Sequence, residues 1–250
     1  NRVLQRALWQ RLQQQNVTLF CPAGLQNLEQ HNGGWTVMLD NQQQLSARLV
    51  VGADGANSQV RQRAGIGIHG WNYSQSCMLI TIRCEHPAGD TTWQQFTPQG
   101  PRAFLPLFDN WASLVWYDAP ARIRQLQAMP MAQLQKEIQA NFPARLGRFS
   151  AVAAGSFPLV RRHATHYVLD GLALVGDAAH TINPLAGQGV NLGYRDVDAL
   201  IEVLTDARNQ VEDWSSSRVL QRYQRKRRKD NLLMQSGMDL FYFAFSTPAG

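Results

Sequence analysis

Two short runs set a carboxylate among residues that lack bulk. In the first, the apolar stretch Leu172–Val175 enters Gly176-Asp177-Ala178-Ala179-His180; Pro184, Gly187-Gln188-Gly189, Val190 and Asn191 follow, then Gly193 and Asp196. A carboxylate at the C-terminal end of a strand is placed to accept hydrogen bonds from a sugar or sugar-alcohol hydroxyl. Ala178 and Ala179 leave room for close backbone approach, and Gly187 and Gly189 lack Cβ atoms, so a flat ligand can lie near the start of the next helix. That helix's free N–H groups and positive dipole end stabilise negative charge there. In the second run, Gly52-Ala53-Asp54-Gly55-Ala56-Asn57-Ser58 precedes Arg61. It reads as a strand, a turn and a short helix, an order that converges backbone N–H groups on a phosphate. Piece by piece, both runs also match turn caps and loop punctuation; the specificity lies in the assembly.

Other chemistries find less support. Asp177 and His180 could face one metal, but no third ligand stands at suitable spacing, so no metal site is assigned. No serine occupies a GxSxG elbow, which removes the signature of a nucleophilic triad. Cys21, Cys77 and Cys84 have neither an even count nor knuckle spacing, and are read as buried thiols of a reducing compartment. The net charge of +6 concentrates in Arg218, Arg222, Arg225, Lys226, Arg227, Arg228 and Lys229. Such a run suits either a solvated helix face or an anionic lipid or nucleic-acid surface.

The elements that must hold these residues follow from periodicity. An apolar fraction of 44% and seven tryptophans describe a folded chain, and 250 residues suffice for one large domain or two smaller ones. No apolar run is long enough for a membrane span, and no secretory leader is expected. Residues 1–14 read as a helix already under way at the start, as if cut from something longer. Val17–Phe20, Leu25–Leu28, Trp35–Leu39 and Leu45–Val51 read as strands, with Gly33-Gly34 marking a hairpin. Met78–Ile82, Thr92–Phe96, Arg102–Leu107 and Ser113–Trp116, separated by turn residues, read as an antiparallel meander. Met131–Phe142 reads as a helix and Phe149–Pro158 as a return to the sheet. Gly187–Leu204 and Val219–Phe245 read as closing helices, the latter unusually rich in Met, Leu, Phe and Tyr from Met234 onward. Phe104, Pro106 and Phe108 alternate along one strand; with Trp116 they are the candidate apolar wall of a substrate pocket, or ordinary core.

The complete Gly176–Asp196 assembly resembles a cofactor-contacting segment of the single-component flavin aromatic hydroxylases. Gly52–Ser58 with Arg61 resembles the same family's DG segment, which serves both FAD and NADPH. The likeness spans essentially the whole chain and is strongest to the hydroxylases of ubiquinone biosynthesis, carried by Arg102–Asp118 and Gly176–Leu200. By resemblance, Gly176 and Asp177 hold a sugar-alcohol hydroxyl of FAD. Pro184, Gly187, Gln188, Gly189, Val190 and Asn191 line the flavin ring, and Asp54, Gly55 and Arg61 complete the cofactor set. The expected fold class is mixed α+β and α/β. It comprises a partial FAD-binding (GR2-like) domain without its N-terminal GxGxxG unit, and an inserted antiparallel-sheet substrate domain. The expected division is 1–70 and 166–210 for cofactor binding, 71–165 for substrate and 211–250 for a C-terminal helical region.

The resemblance implies an FAD-dependent monooxygenase that hydroxylates a polyprenylated methoxy-methyl-benzoquinol using NAD(P)H and O₂. The quinol hydroxyls already activate the ring and the oxygen chemistry belongs to the cofactor, so no catalytic side chain is assigned. With the GxGxxG strand and turn missing, the chain alone is expected to hold FAD weakly and to show little activity. The implied partners are the quinol and the other ubiquinone-biosynthesis proteins, with room for a homo-oligomer and no nucleic acid. The implied location is cytoplasmic, with peripheral contact at the inner membrane. Two alternatives stay open: a flavin-dependent reductase or dehydrogenase of isoprenoid substrates, and a non-enzymatic basic module binding lipid or nucleic acid.

Overall fold

A computed structural model describes residues 2–181 and 189–246, with the backbone alone for 2, 71–74 and 232–246. Helix α1 (Arg2–Gln13) precedes a small antiparallel sheet of β1 (Leu25–His31), β2 (Gly34–Leu39) and β3 (Gln44–Ala47). The β1–β2 hairpin turns through Asn32-Gly33, with Gly33 at a φ of +92°, where a side chain would be strained. Strand β4 (Val50–Gly52) then leads through the Asp54 turn to α2 (Gln59–Arg63).

The middle of the chain supplies β5 (Ile68–Cys84), β6 (Trp93–Gln95), β7 (Arg102–Pro106), β8 (Trp111–Asp118), α3 (Pro120–Gln127), α4 (Met131–Asn141) and β9 (Phe149–Ala164). After these come β10 (Val168–Leu169), β11 (Leu172–Leu174), β12 (His180–Thr181), α5 (Gly189–Asn209) and α6 (Ser217–Ser246). The large sheet has six strands in the order β12-β9-β5-β8-β7-β6. It is not a simple meander: β5 pairs with β8 on one side and with β9 on the other.

The pairing that matters most for function is short. Strand β11 runs parallel to β4, with Leu172 opposite Val50 and Leu174 opposite Gly52. Both glycine–carboxylate runs therefore leave the C-terminal ends of adjacent parallel strands, the edge at which open α/β sheets place ligands. Gly52 is required at this crossing, because a Cβ there would stand 2.7 Å from Leu174 Cδ2 and 2.9 Å from Val60 Cγ1.

Two hydrophobic cores flank the long β5–β9 ribbon. One gathers β10, β11 and the end of β9 against α5 and α6, through Ala164, Leu172, Leu174, Val175, Leu200, Val203, Leu220 and Tyr223. The other seals one face of the six-stranded sheet under α3 and α4, through Ile80, Ile82, Leu114, Trp116, Ile123, Leu126, Leu134 and Ile138.

Three elements differ from expectation. Val17–Phe20 forms no strand; Val17, Leu19 and Phe20 are exposed, so no buried face draws the segment onto a ladder. Leu45–Val51 is two strands in two sheets, divided at Arg48, which pairs with Asp213 at 3.0 Å and stacks 4.5 Å from the Trp214 ring. Helix α3 was not anticipated. Its signal was Pro120 at the first helical position, a favoured place because that residue's N–H has no intrahelical partner, followed by Ile123 and Leu126 on one buried side.

Candidate functional site

A cavity of about 520 Å³ opens where the two parallel strands end. The Asp54 turn supplies Ala53 and Gly55 to its wall, and the Asp177 turn supplies Val175, Gly176 and Asp177. The first turns of α5 add Gly189, Val190, Gly193, Tyr194 and Val197, while Phe157–Val160 of β9 close the opposite side. Segments far apart in sequence thus meet around one space. Five predicted cofactor residues line it together: Gly55, Gly176, Asp177, Gly189 and Val190.

Asp177 is the cavity's carboxylate. It is the middle residue of a single 3-10 turn and faces the open space, yet the surrounding walls displace enough water to push its carboxyl above the ordinary value, with His180 partly opposing the shift. Gly176 has a φ of +59°, the left-handed region that turns the chain sharply behind Asp177. A Cβ added at Gly193 would lie 3.5 Å from Gly176 Cα, so helix and turn meet backbone to backbone.

The other predicted cofactor residues fall elsewhere. Asp54 is exposed but occupied: its carboxylate accepts from Ser58 Oγ at 2.5 Å and from the backbone N–H groups of Gln59 and Val60 at 2.7 and 3.1 Å. It fastens the start of α2 instead of lining the cavity. Arg61 is buried and also stands off the cavity wall. One guanidinium nitrogen donates to the Ala178 carbonyl at 2.9 Å and another to the Ala56 carbonyl at 2.9 Å, tying the two turns together. Asn191 lies in the first turn of α5, exposed and outside the cavity lining. Pro184, Gly187 and Gln188 lie outside the described residues, as do the side chains of Met234–Phe245.

The proposed substrate wall is corrected by the sheet's parity. Trp116 is fully buried beneath α4, edge-on to Phe142 at 5.5 Å, with Nε1 donating to Asp118 Oδ2 at 3.1 Å. Phe104 packs in the same core and stacks on Trp93 at 5.4 Å. Pro106 ends β7 half-buried opposite Ala112, and Phe108 sits in the following turn, 69% exposed. None of the four lines the cavity. The opposite face carries Leu79, Val115, Leu105 and Phe157, alternating with the sealed residues, and Phe157 joins this face to the cavity. On this same face Cys77, Tyr117 and Leu159 pack together and are buried, and burial pushes the Cys77 thiol up to about 12. Cys77 and Cys84 are buried as expected, whereas Cys21 is exposed.

The basic run is partly engaged in ion pairs, with only Arg227 buried. Arg218 and Arg222 both reach Glu212, Lys226 reaches Glu202, and Arg228 donates to the Thr165 carbonyl. Arg227 is buried against Asp196 at 2.7 Å. These contacts fasten α6 to the rest of the molecule, while Arg218, Arg225, Lys226, Arg228 and Lys229 remain exposed. His180 is likewise engaged with Asp196, at 2.5 Å.

Glycine turns at the ends of parallel strands, joined by two long strands to an antiparallel sheet with one partly open apolar face, surround a cavity that carries one carboxylate and the start of α5. The chain belongs to the FAD binding domain family, which matches residues 2–232. It is 66% identical over 247 residues to the 3-demethoxyubiquinol 3-hydroxylase of Escherichia coli (strain K12), covering 98% of this chain and 63% of that protein. It is 40% identical over 248 residues to the ubiquinone hydroxylase UbiL of Rhodospirillum rubrum, covering 98% of this chain and 58% of that one. The chain thus spans about three fifths of the length of these relatives. Among solved structures, the fold matches PqsL, described as a probable FAD-dependent monooxygenase from Pseudomonas aeruginosa. The TM-score is 0.79 at 23% identity, over 97% of this chain and 69% of that one.

Proposed function

We propose that the cavity receives the flavin end of FAD and that the complete protein hydroxylates a polyprenylated methoxy-methyl-benzoquinol of ubiquinone biosynthesis, using NAD(P)H and O₂. The observation that carries this reading is the convergence of Gly55, Gly176, Asp177, Gly189 and Val190 on one space. The residues fit the group. A Cβ added at Gly55 or Gly189 would meet no described atom within 4 Å, so both glycines leave the wall flat where a ring system would lie. Asp177 offers acceptors for sugar-alcohol hydroxyls, and the start of α5 offers N–H groups.

FAD, when bound, supplies the oxygen and electron-transfer chemistry. The chain's own work is binding, orientation and exclusion of water. Asp177 accepts hydroxyl donors and fixes the cofactor's depth. Arg61 holds the two turns at constant spacing through the Ala56 and Ala178 carbonyls. The open sheet face, with Leu79 and Leu105, offers the quinol ring an apolar bed that continues through Phe157 into the cavity. The names of the E. coli and R. rubrum relatives support the substrate class.

No helix among the described residues is long and apolar enough to cross a membrane. We place the protein in the cytoplasm, at the periphery of the inner membrane. The exposed Leu4, Leu8, Trp9 and Leu12 of α1 and the prenyl tail of the substrate both favour that position.

The test is oxygen transfer. The complete protein, supplied with FAD, NAD(P)H, ¹⁸O₂ and a short-chain demethoxyubiquinol, is expected to place labelled oxygen on the ring. Consumption of NAD(P)H with release of hydrogen peroxide and no label in the ring rejects the hydroxylase in favour of a flavin reductase.

A further inference from the structure

Behind the Asp177 turn lies a buried polar cluster that meets the cavity wall through the Gly176 backbone N–H. Asp196, fully buried on α5, accepts from three donors on three different segments. These are the Gly176 backbone N–H at 2.9 Å, His180 Nε2 at 2.5 Å and Arg227 Nε at 2.7 Å. The carboxylate can only accept, so Nε2 of His180 carries the shared hydrogen. Arg227 is held in turn by Asn231 Oδ1 at 3.0 Å and Asp230 Oδ2 at 2.9 Å, within α6. Asp196 and Gly193 stand three residues apart on one side of α5, and both meet Gly176, one through a hydrogen bond and the other by backbone contact.

A buried ion pair of this kind gives little net stability over an apolar pair of the same volume, because desolvation offsets the attraction. Its distinctive output is geometric. The Gly176 N–H is bound at the one residue whose left-handed φ aims Asp177 into the cavity.

We infer that Asp196 is a positioning residue for the cofactor: its carboxylate, oriented by Arg227 and His180, locks the Gly176 turn and so fixes where the Asp177 carboxylate stands. This inference rests on the assignment of the cavity to the flavin end of FAD. It makes α6, whose described residues do not line the cavity, a determinant of cofactor affinity. The chain of contact is Arg227 to Asp196 to Gly176 to Asp177.

The experiment uses the complete protein and measures the dissociation constant of FAD by quenching of flavin fluorescence, with the visible flavin spectrum and thermal unfolding recorded alongside. Asp196→Leu combined with Arg227→Met removes both charges at similar volume, which favours retention of the fold. The expected result is a folded protein whose dissociation constant rises at least about tenfold, the scale of a lost charge-assisted hydrogen bond. Asp196→Glu, which keeps the carboxylate, is expected to recover part of the loss. His180→Leu leaves the Asp196–Arg227 pair intact, and is expected to weaken FAD several-fold with a shifted flavin spectrum. A folded double variant binding FAD as tightly as the parent overturns the inference. If the double variant fails to fold, an unaltered affinity and spectrum in His180→Leu overturn it instead. Asp177→Asn separates the two levels. Weakened binding there beside unchanged Asp196 and His180 variants sinks the positioning role alone, whereas unchanged binding in Asp177→Asn sinks the cavity assignment and this inference together.

Discussion

The two faces of the six-stranded sheet are both apolar, and they do opposite things. On one, Ile80, Ile82, Leu114 and Trp116 are fully buried under α3 and α4. On the other, Leu79, Leu105 and Phe157 are 41%, 38% and 38% exposed and lead toward the cavity. Adjacent residues such as Phe104 and Leu105 belong to different faces and so to different surroundings. Strand alternation assigns residues to two sides but cannot say which side is sealed. That decision is made by the helices that cover one side, and the largest aromatics follow the seal because burying them contributes most to stability.

The sharpest way to break this comparison is to truncate the sealed face. Trp116→Ala is expected to destabilise the complete protein by about 3–5 kcal/mol, the usual range for a buried tryptophan, read by urea unfolding. FAD affinity of the folded fraction should stay near that of the parent. A variant of normal stability that lost quinol turnover would reverse the assignment of the faces.

Next in size is the cavity carboxylate. Asp177→Asn keeps the shape but halves the acceptors, and is expected to raise the FAD dissociation constant by roughly ten- to a hundredfold with little change in thermal stability. Equilibrium titration by flavin fluorescence measures this directly. Equal FAD binding by parent and variant would show that the carboxylate faces the cavity without serving it.

A third comparison uses neighbours. Leu105→Gln is expected to raise the KM for a short-chain quinol several-fold while moving stability by about 0.5 kcal/mol or less, as surface substitutions do. Phe104→Ala is expected to cost about 3 kcal/mol or more of stability with no change in KM for the folded enzyme. Steady-state kinetics and unfolding on both variants settle the pair, and like behaviour in the two would remove the distinction.

Part of the cavity wall was legible because its requirements are local. A carboxylate after a short apolar strand, flanked by small residues, can be read from Leu172–Ala179 without knowing what packs nearby. Arg61 and Asp54 were correctly attached to their turn, but their side chains serve backbone carbonyls, a serine hydroxyl and the start of α2, partners that no spacing rule displays. Tyr194 and Val197 were missed as cavity residues. On sequence they continue the apolar pattern of α5, and only the position of β9 opposite them turns that side of the helix toward the cavity. Asp196 appeared in the motif without a role, since its donors lie on the Gly176 turn, β12 and α6. The sheet's parity was illegible for a related reason: α3, which helps seal the buried face, was not itself recognised.

The smallest expected effect contrasts the cavity's two states across pH. Desolvation raises the Asp177 carboxyl above its ordinary value of 3.8, against a weaker opposing influence from His180. A raised folded-state value contributes stability that is fully present below the unfolded value and is lost as pH rises through the folded one. The cofactor-free fold should therefore lose a small increment of stability with rising pH in the window just above 3.8. Cofactor affinity should run the other way. Hydroxyl donors favour the ionised carboxylate, so binding is full above the cofactor-free value and weakens on acidification, by at most about tenfold per pH unit for one proton. Parallel measurements of thermal midpoint and FAD affinity from about pH 7 down to about pH 4 should show the two trends crossing, and Asp177→Asn should flatten Asp177's contribution to both. Two trends of the same sign in the parent would mean that the carboxylate binds its ligand in the protonated form, donating a hydrogen bond where it is here assigned to accept one.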